Sequence, residues 1–179
     1  MAAGAVSTRD LLWDACRSKR CCRAMRIVLT GSDLARLVRA FELEPGDVAE
    51  AIPVPEGDDG PPYELVLRKQ GPLGPHGAPC VFLVETNDGH AACGAGDVRP
   101  ACCRAFPAVM AQGSLRVAAP SCDCRRWSPL DVGPPERAQA EAAAAEEARH
   151  AEAVRAWNAA LDAPRPLGDA CRHLIEACG

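Results

Sequence analysis

The chain has 179 residues and a formal net charge of −4, which leaves room for one domain of ordinary size and a short appendage but not for two large domains. Its 48% hydrophobic content overstates the core: 34 residues are alanine, and Leu, Ile, Val and Phe together make up only about 19% of the chain. So small a net charge excludes a self-repelling disordered chain, and the acidic balance with few aromatics argues against a nucleic-acid partner. The 11 cysteines are the evident supplement to a thin core.

From the N-terminus, residues 1–9 show neither a basic n-region nor an apolar run, so nothing reads as a signal peptide. No stretch approaches the roughly 18 apolar residues of a membrane span, and no membrane partner is expected. The expected setting is cytoplasmic, where thiols stay reduced and clustered cysteines bind metal more often than they pair. The odd cysteine count also argues against a closed disulfide framework.

Ser7 with Asp10 predicts a capped helix through Leu11, Leu12 and Ala15. Thr30 with Asp33 repeats that signature, and Leu34, Leu37, Val38 and Phe41 mark one apolar face behind it. Pro45 ends this helix and opens a further helical turn through Val48 and Ile52. Residues 53–62 read as a loop, 63–68 as a strand, 71–79 as a Gly/Pro-rich connection and 80–85 as a second strand. Asn87-Asp88-Gly89 is a turn that folds the chain back toward Cys93, and residues 114–118 form one more short strand. A long Ala-rich helix runs from Pro135 to Leu161. Val154, Trp157 and Leu161 are its apolar stripe, so its first half is expected in solvent and its second half docked. A last helix spans 167–177. These elements imply an α+β fold: a small cysteine-rich metal-binding domain over 1–130, followed by a C-terminal helical segment over 131–179.

The cysteines are grouped rather than scattered: Cys16, Cys21-Cys22, Cys80, Cys93, Cys102-Cys103, Cys122-x-Cys124, then Cys171 and Cys178. A four-thiolate site needs ligands from two or three segments that a fold can converge, and the first group, Cys80 with Cys93, and the Cys102-Cys103 pair could supply them. Adjacent cysteines such as Cys21-Cys22 suggest two ions, or one ligand beside a buried thiol. Cys16, Cys21, Cys22, Cys103, Cys124 and Cys171 each adjoin an arginine, an arrangement expected to lower thiol pKa and offset thiolate charge. His90, three residues before Cys93, reads as an exposed turn residue. His150 and His173 read as surface or packing residues, and Cys171 and Cys178 as small buried hydrophobes on one helix face. There is no Walker-type phosphate loop, dinucleotide fingerprint or Gly-x-Ser-x-Gly elbow.

Cys16-x4-Cys21-Cys22-Arg23, the helix start Val28-Leu-Thr-Gly-Ser-Asp-Leu-Ala-Arg36, Cys80-Val-Phe-Leu83, and Cys93-x5-Arg99-Pro100-x2-Cys103-Arg104-x-Phe106-Pro107 together resemble bacterial cysteine-cluster proteins of the YkgJ type. The resemblance covers roughly residues 13–124. It implies zinc or iron chelation, an iron–sulfur cluster included, with Cys16, Cys21, Cys22, Cys80, Cys93 and Cys103 as cluster positions. Arg99, Pro100 and Arg104 are the supporting residues. The family often opens with Cys-x2-Cys-x2-Cys-Cys, whereas here Ser18 stands in place of an inner cysteine and the first cysteine is displaced by one. Cys102, Cys122 and Cys124 are the residues that could compensate. A non-catalytic metal-binding protein is the leading expectation. The alternatives are an iron–sulfur protein with a redox or methyltransferase-related role, since flagellin lysine methylases carry a related cluster, and a structural-zinc adaptor whose C-terminal helix meets a protein partner.

Overall fold

The computed structural model describes residues 19–53, 63–74, 77–118, 132–159 and 167–179. The helix expected before Cys16 lies outside these residues, as do Cys16, Cys122, Cys124 and all but the first residue of the loop expected over 53–62. The fold is α+β, with short antiparallel strand pairs among six helices within the described residues.

A one-turn helix, α1 (Arg20–Ala24), carries Cys21 and Cys22. The next helix, α2 (Gly31–Phe41), begins where the sequence places it. The Thr30 hydroxyl accepts the Asp33 amide at 3.0 Å, and the Asp33 carboxylate accepts the Thr30 amide at 3.0 Å, completing a capping box. Its buried face is Leu34 and Leu37, both fully buried. Glu42, in the left-handed region, stops the helix before Pro45 is reached.

Beyond the four-residue helix α3 (Pro45–Val48), the expected helical turn through Ile52 is instead strand β1 (Ala49–Pro53). It pairs antiparallel with β2 (Tyr63–Leu67), from Ala49 opposite Leu67 to Pro53 opposite Tyr63. The fourfold spacing of Val48 and Ile52 imitates a helix, but pairing with residues 63–67 wins. On the other side of β2, Leu29 N–H bonds Leu65 O and Leu67 N–H bonds Ile27 O, both at 2.8 Å, so residues 27–29 act as a third strand.

Cys80 does not open a regular strand. It bridges singly to Lys69, and strand β3 is only Leu83–Glu85. The Asn87–Gly89 turn returns the chain to β4 (Ala91–Cys93), where Cys93 lies opposite Leu83. After a short 3₁₀ turn (Gly96–Val98) comes α4 (Ala101–Ala105), the helix of Cys102 and Cys103. Strand β5 (Ala108–Ala111), not foreseen from the sequence, pairs with β6 (Ser114–Val117).

Two helices close the structure: α5 (Pro134–Ala159) and α6 (Leu167–Cys178). The first half of α5 is not simply solvated. Ala140 and Ala143 are buried in a cluster with Ala101, Ala105 and Ala108, so α5 docks on α4 and β5 through alanines. An apolar-stripe reading overlooks such a face because methyl groups barely register in it, yet they let helices approach closely. Further along, Ala153 and Val154 of α5, with Cys171 and Leu174 of α6, share one core with Leu29, Leu34, Leu37, Val48, Leu65 and Leu67. Gly31 is required where α2 meets α6: a Cβ there would stand 2.5 Å from Leu174 O.

Candidate metal centre

Backbone hydrogen bonds sew the cysteine segments together before any thiol is considered. Lys19, left-handed at φ 41°, turns the chain into α1, and Cys22 N–H bonds Lys19 O at 2.9 Å. Cys80 N–H then donates to Cys22 O at 3.0 Å, placing Cys80 beside the Cys21-Cys22 turn although 58 residues separate Cys80 from Cys22. Lys69, opposite Cys80, fixes the same turn: its Nζ donates to Cys22 O at 2.9 Å and Arg23 O at 3.2 Å. Gly77 lies so close to α1 that a Cβ would sit 2.7 Å from Arg23 O, and its φ of +96° suits only glycine.

Cys21, Cys22, Cys80, Cys93, Cys102 and Cys103 line one cavity of about 280 Å³. Cys22 shares side-chain hydrogen bonds with both Cys21 and Cys80, and Cys102 with Cys103. Among the described residues no three Cys, His, Asp or Glu side chains already stand as a ligand set for one ion. The sulfurs share a cavity wall rather than meeting at a point.

The thiols are electrostatically unequal. Hydrogen bonding by Cys22 lowers Cys80 to about 6 against the cost of burial, with Lys69 assisting. The same partner lowers Cys21 to about 7, with Lys19 assisting. Cys22 is pushed up, because protonated it serves both neighbours. Cys103 is raised by its bond with Cys102, then by burial, and Cys93 by burial. In the metal-free protein, one thiol proton is thus held between two sulfurs with thiolate character near neutral pH.

Three of the arginines that adjoin cysteines are engaged by carboxylates instead. Arg23 pairs with Glu85, Arg104 with Glu146 at 2.8 Å, and Arg172 with Asp169 at 3.3 Å. The cations that lower cavity thiols are Lys19 at Cys21, Lys69 at Cys80 and Arg99 at Cys93. Arg99 lines the cavity, and its Nε donates to Gly96 O at 2.7 Å, closing the turn before α4; Pro100 is fully buried. Cys171 and Cys178 do not line this cavity.

Two residues of the wall were not singled out for the site by sequence reasoning. Asp33, foreseen only as a cap, is 1% exposed; its Oδ1 accepts Ala101 N–H at 2.7 Å and an Arg36 N–H. Burial raises its pKa against those bonds. His150, read as a surface or packing residue, is half-buried at the cavity. Gly31 N–H donates to its Nδ1 at 3.2 Å, so the neutral ring carries its proton on Nε2 and keeps no lone pair for an ion. Burial favours that neutral form. His90 is exposed and bonded to Asp88, as expected of a turn histidine.

Residues 14–125 match the family described as "CxxCxxCC: Putative zinc- or iron-chelating domain". The chain belongs to this family, the YkgJ type. Zinc or iron chelation is therefore the activity class of the cysteine-bearing region, and all six cavity cysteines fall within the match. No curated protein and no solved structure matches the chain. No helix among the described residues is long and apolar enough to cross a membrane.

Proposed function

We propose that the protein is a non-catalytic thiolate chelator whose ion sits in the cysteine-lined cavity, with zinc the first reading. Cys21, Cys22, Cys80, Cys93 and Cys103 are the donors within the described residues, Cys16 a further donor, and Cys102, Cys122 and Cys124 the reserve. The observation that carries the reading is a single cavity drawing cysteines from α1, the Cys80 bridge, β4 and α4. Donor chemistry fits: thiolates suit zinc and iron, and Cys21 and Cys80 give up protons at low cost. Bound metal would crosslink segments that are distant in sequence and supplement a core poor in large apolar residues. Reduced thiols suit a cytoplasmic setting, and all eight described cysteines are free.

A second reading, an iron–sulfur cluster, is favoured by the cavity's size, since the four thiolates such a cluster needs are present in either case. Protein purified without air separates the two. A colourless protein with zinc bound per chain supports the first, and a brown protein carrying iron and sulfide supports the second. Cys22→Ser and Cys80→Ser should each lower the metal content, whereas Cys178→Ser, outside the cavity, should not. Metal retained in full by both cavity variants would remove the assignment.

A further inference from the structure

We infer that the long C-terminal helix α5, which lies beyond the residues matched to the family, is part of the thiol site, and that Glu146 on it is a positioning residue for Cys102 and Cys103. Helix α4, which bears those cysteines, has five residues and only alanine, cysteine and arginine side chains. A helix that short does not persist unaided, because its few hydrogen bonds cannot offset the cost of nucleation. It is held instead at both ends by charge.

At its first residue, Ala101 N–H donates to Asp33 Oδ1 at 2.7 Å. Toward its last turn, Arg104 Nη2 donates to Glu146 Oε1 at 2.8 Å. The other Glu146 oxygen faces Arg36, at 3.5 Å from Nη1 and 3.4 Å from Nη2, and Arg36 returns to Asp33. The circuit is closed: α4 to α2 through Asp33, α2 to α5 through Arg36 and Glu146, and α5 back to α4 through Arg104. Glu146 is the member that serves two guanidiniums, and its side chain is only 11% exposed, so solvent would replace it poorly. The methyl faces of Ala101, Ala105, Ala140 and Ala143 fill the space beneath. Cys102 Sγ reaches Val28 O only at 3.8 Å. Cys102 and Cys103 are consecutive residues of α4, so the circuit that holds α4 sets how both are presented at the cavity.

The metal arm of the test rests on the chelation reading, and the thiol arm does not. The full chain is compared with Glu146→Gln, which keeps the shape and removes the charge. Glu141→Gln is the control, from an exposed pair with Arg137 on the same helix. In metal-free protein, alkylation mapped by mass spectrometry should speed up several-fold at Cys102 and Cys103 in Glu146→Gln. Rates at Cys21, Cys22 and Cys80 should hold, and Glu141→Gln should change nothing. In cobalt titrations followed by thiolate-to-metal absorption, Glu146→Gln should lose about 10–100-fold in affinity, the usual cost of an outer-shell change. Glu146→Asp, which keeps the charge, should recover part of it. Arg104→Gln, which opens the circuit at one bond, repeats the test if Glu146→Gln does not fold. Unchanged alkylation at Cys102 and Cys103 overturns the inference. A wild-type chain that binds no cobalt overturns the chelation reading and leaves the alkylation result to decide this one.

Discussion

Cys22 organises the thiols around it, and two lysines complete the arrangement. The chain has 18 arginines and only two lysines, Lys19 and Lys69, and both act on the cluster. A lysine is a compact charge on a flexible stem, able to stand beside a sulfur while bonding backbone carbonyls, as Lys69 does. The largest lowering of Cys80 comes from Cys22 and a smaller one from Lys69. Alkylation of Cys80 in metal-free protein should therefore rise with pH around a midpoint near 6. Cys22→Ala should move that midpoint up toward the ordinary value of 9, so that at pH 7 the rate falls by more than tenfold. Lys69→Met should move it the same way by less. A profile that stays put in Cys22→Ala would show that Cys22 does not set the thiolate. The rarity of lysine was a signal open to sequence reading. Adjacency of arginine to cysteine was the weaker signal, because Arg23 and Arg104 are engaged by Glu85 and Glu146 across the fold.

Among the elements, those with local determinants were legible in advance. The Thr30–Asp33 capping box and the Asn87–Gly89 turn each lie within a few residues, and both stand where the sequence places them. Thr30→Ala should cost about 1 kcal/mol, the usual worth of such a cap. Leu34→Ala, in the buried face behind it, should cost about 2–5 kcal/mol. Urea unfolding midpoints would check both, and an order reversed between them would mean that α2 is not anchored by its apolar face. Elements with distant determinants were not legible. Strand β1 exists because β2 pairs with it, and the docked half of α5 because α4 offers an alanine face. Asp33 carries both kinds of information. Its cap was local and foreseen; its bond to Ala101, 68 residues away, was not.

For the whole molecule, the thin composition conceals a core that is small but continuous. Residues from α2, α3, β2, α5 and α6 share one apolar cluster, and the cluster cysteines Cys22, Cys93, Cys102 and Cys103 pack at its margin. An Ala-rich helix alone would keep helicity after the rest unfolds, since its propensity is local. Here Glu146 and Val154 bind α5 to the same body, so chelator-treated protein should melt at a lower temperature with helix and core lost in one transition. Circular dichroism for α5, with the exposure of buried Cys21 and Cys80 to an alkylating reagent for the core, would follow the two. Separate transitions would return α5 to the status of an appendage.

The central claim is that the cavity cysteines hold the metal, and X-ray absorption at the edge of the bound metal in anaerobically purified protein tests it most directly. Sulfur should dominate the innermost shell, at about 2.3 Å for zinc, and lose amplitude in Cys80→Ser. A shell of nitrogen and oxygen alone at about 2.0–2.2 Å, unchanged in that variant, would contradict the account.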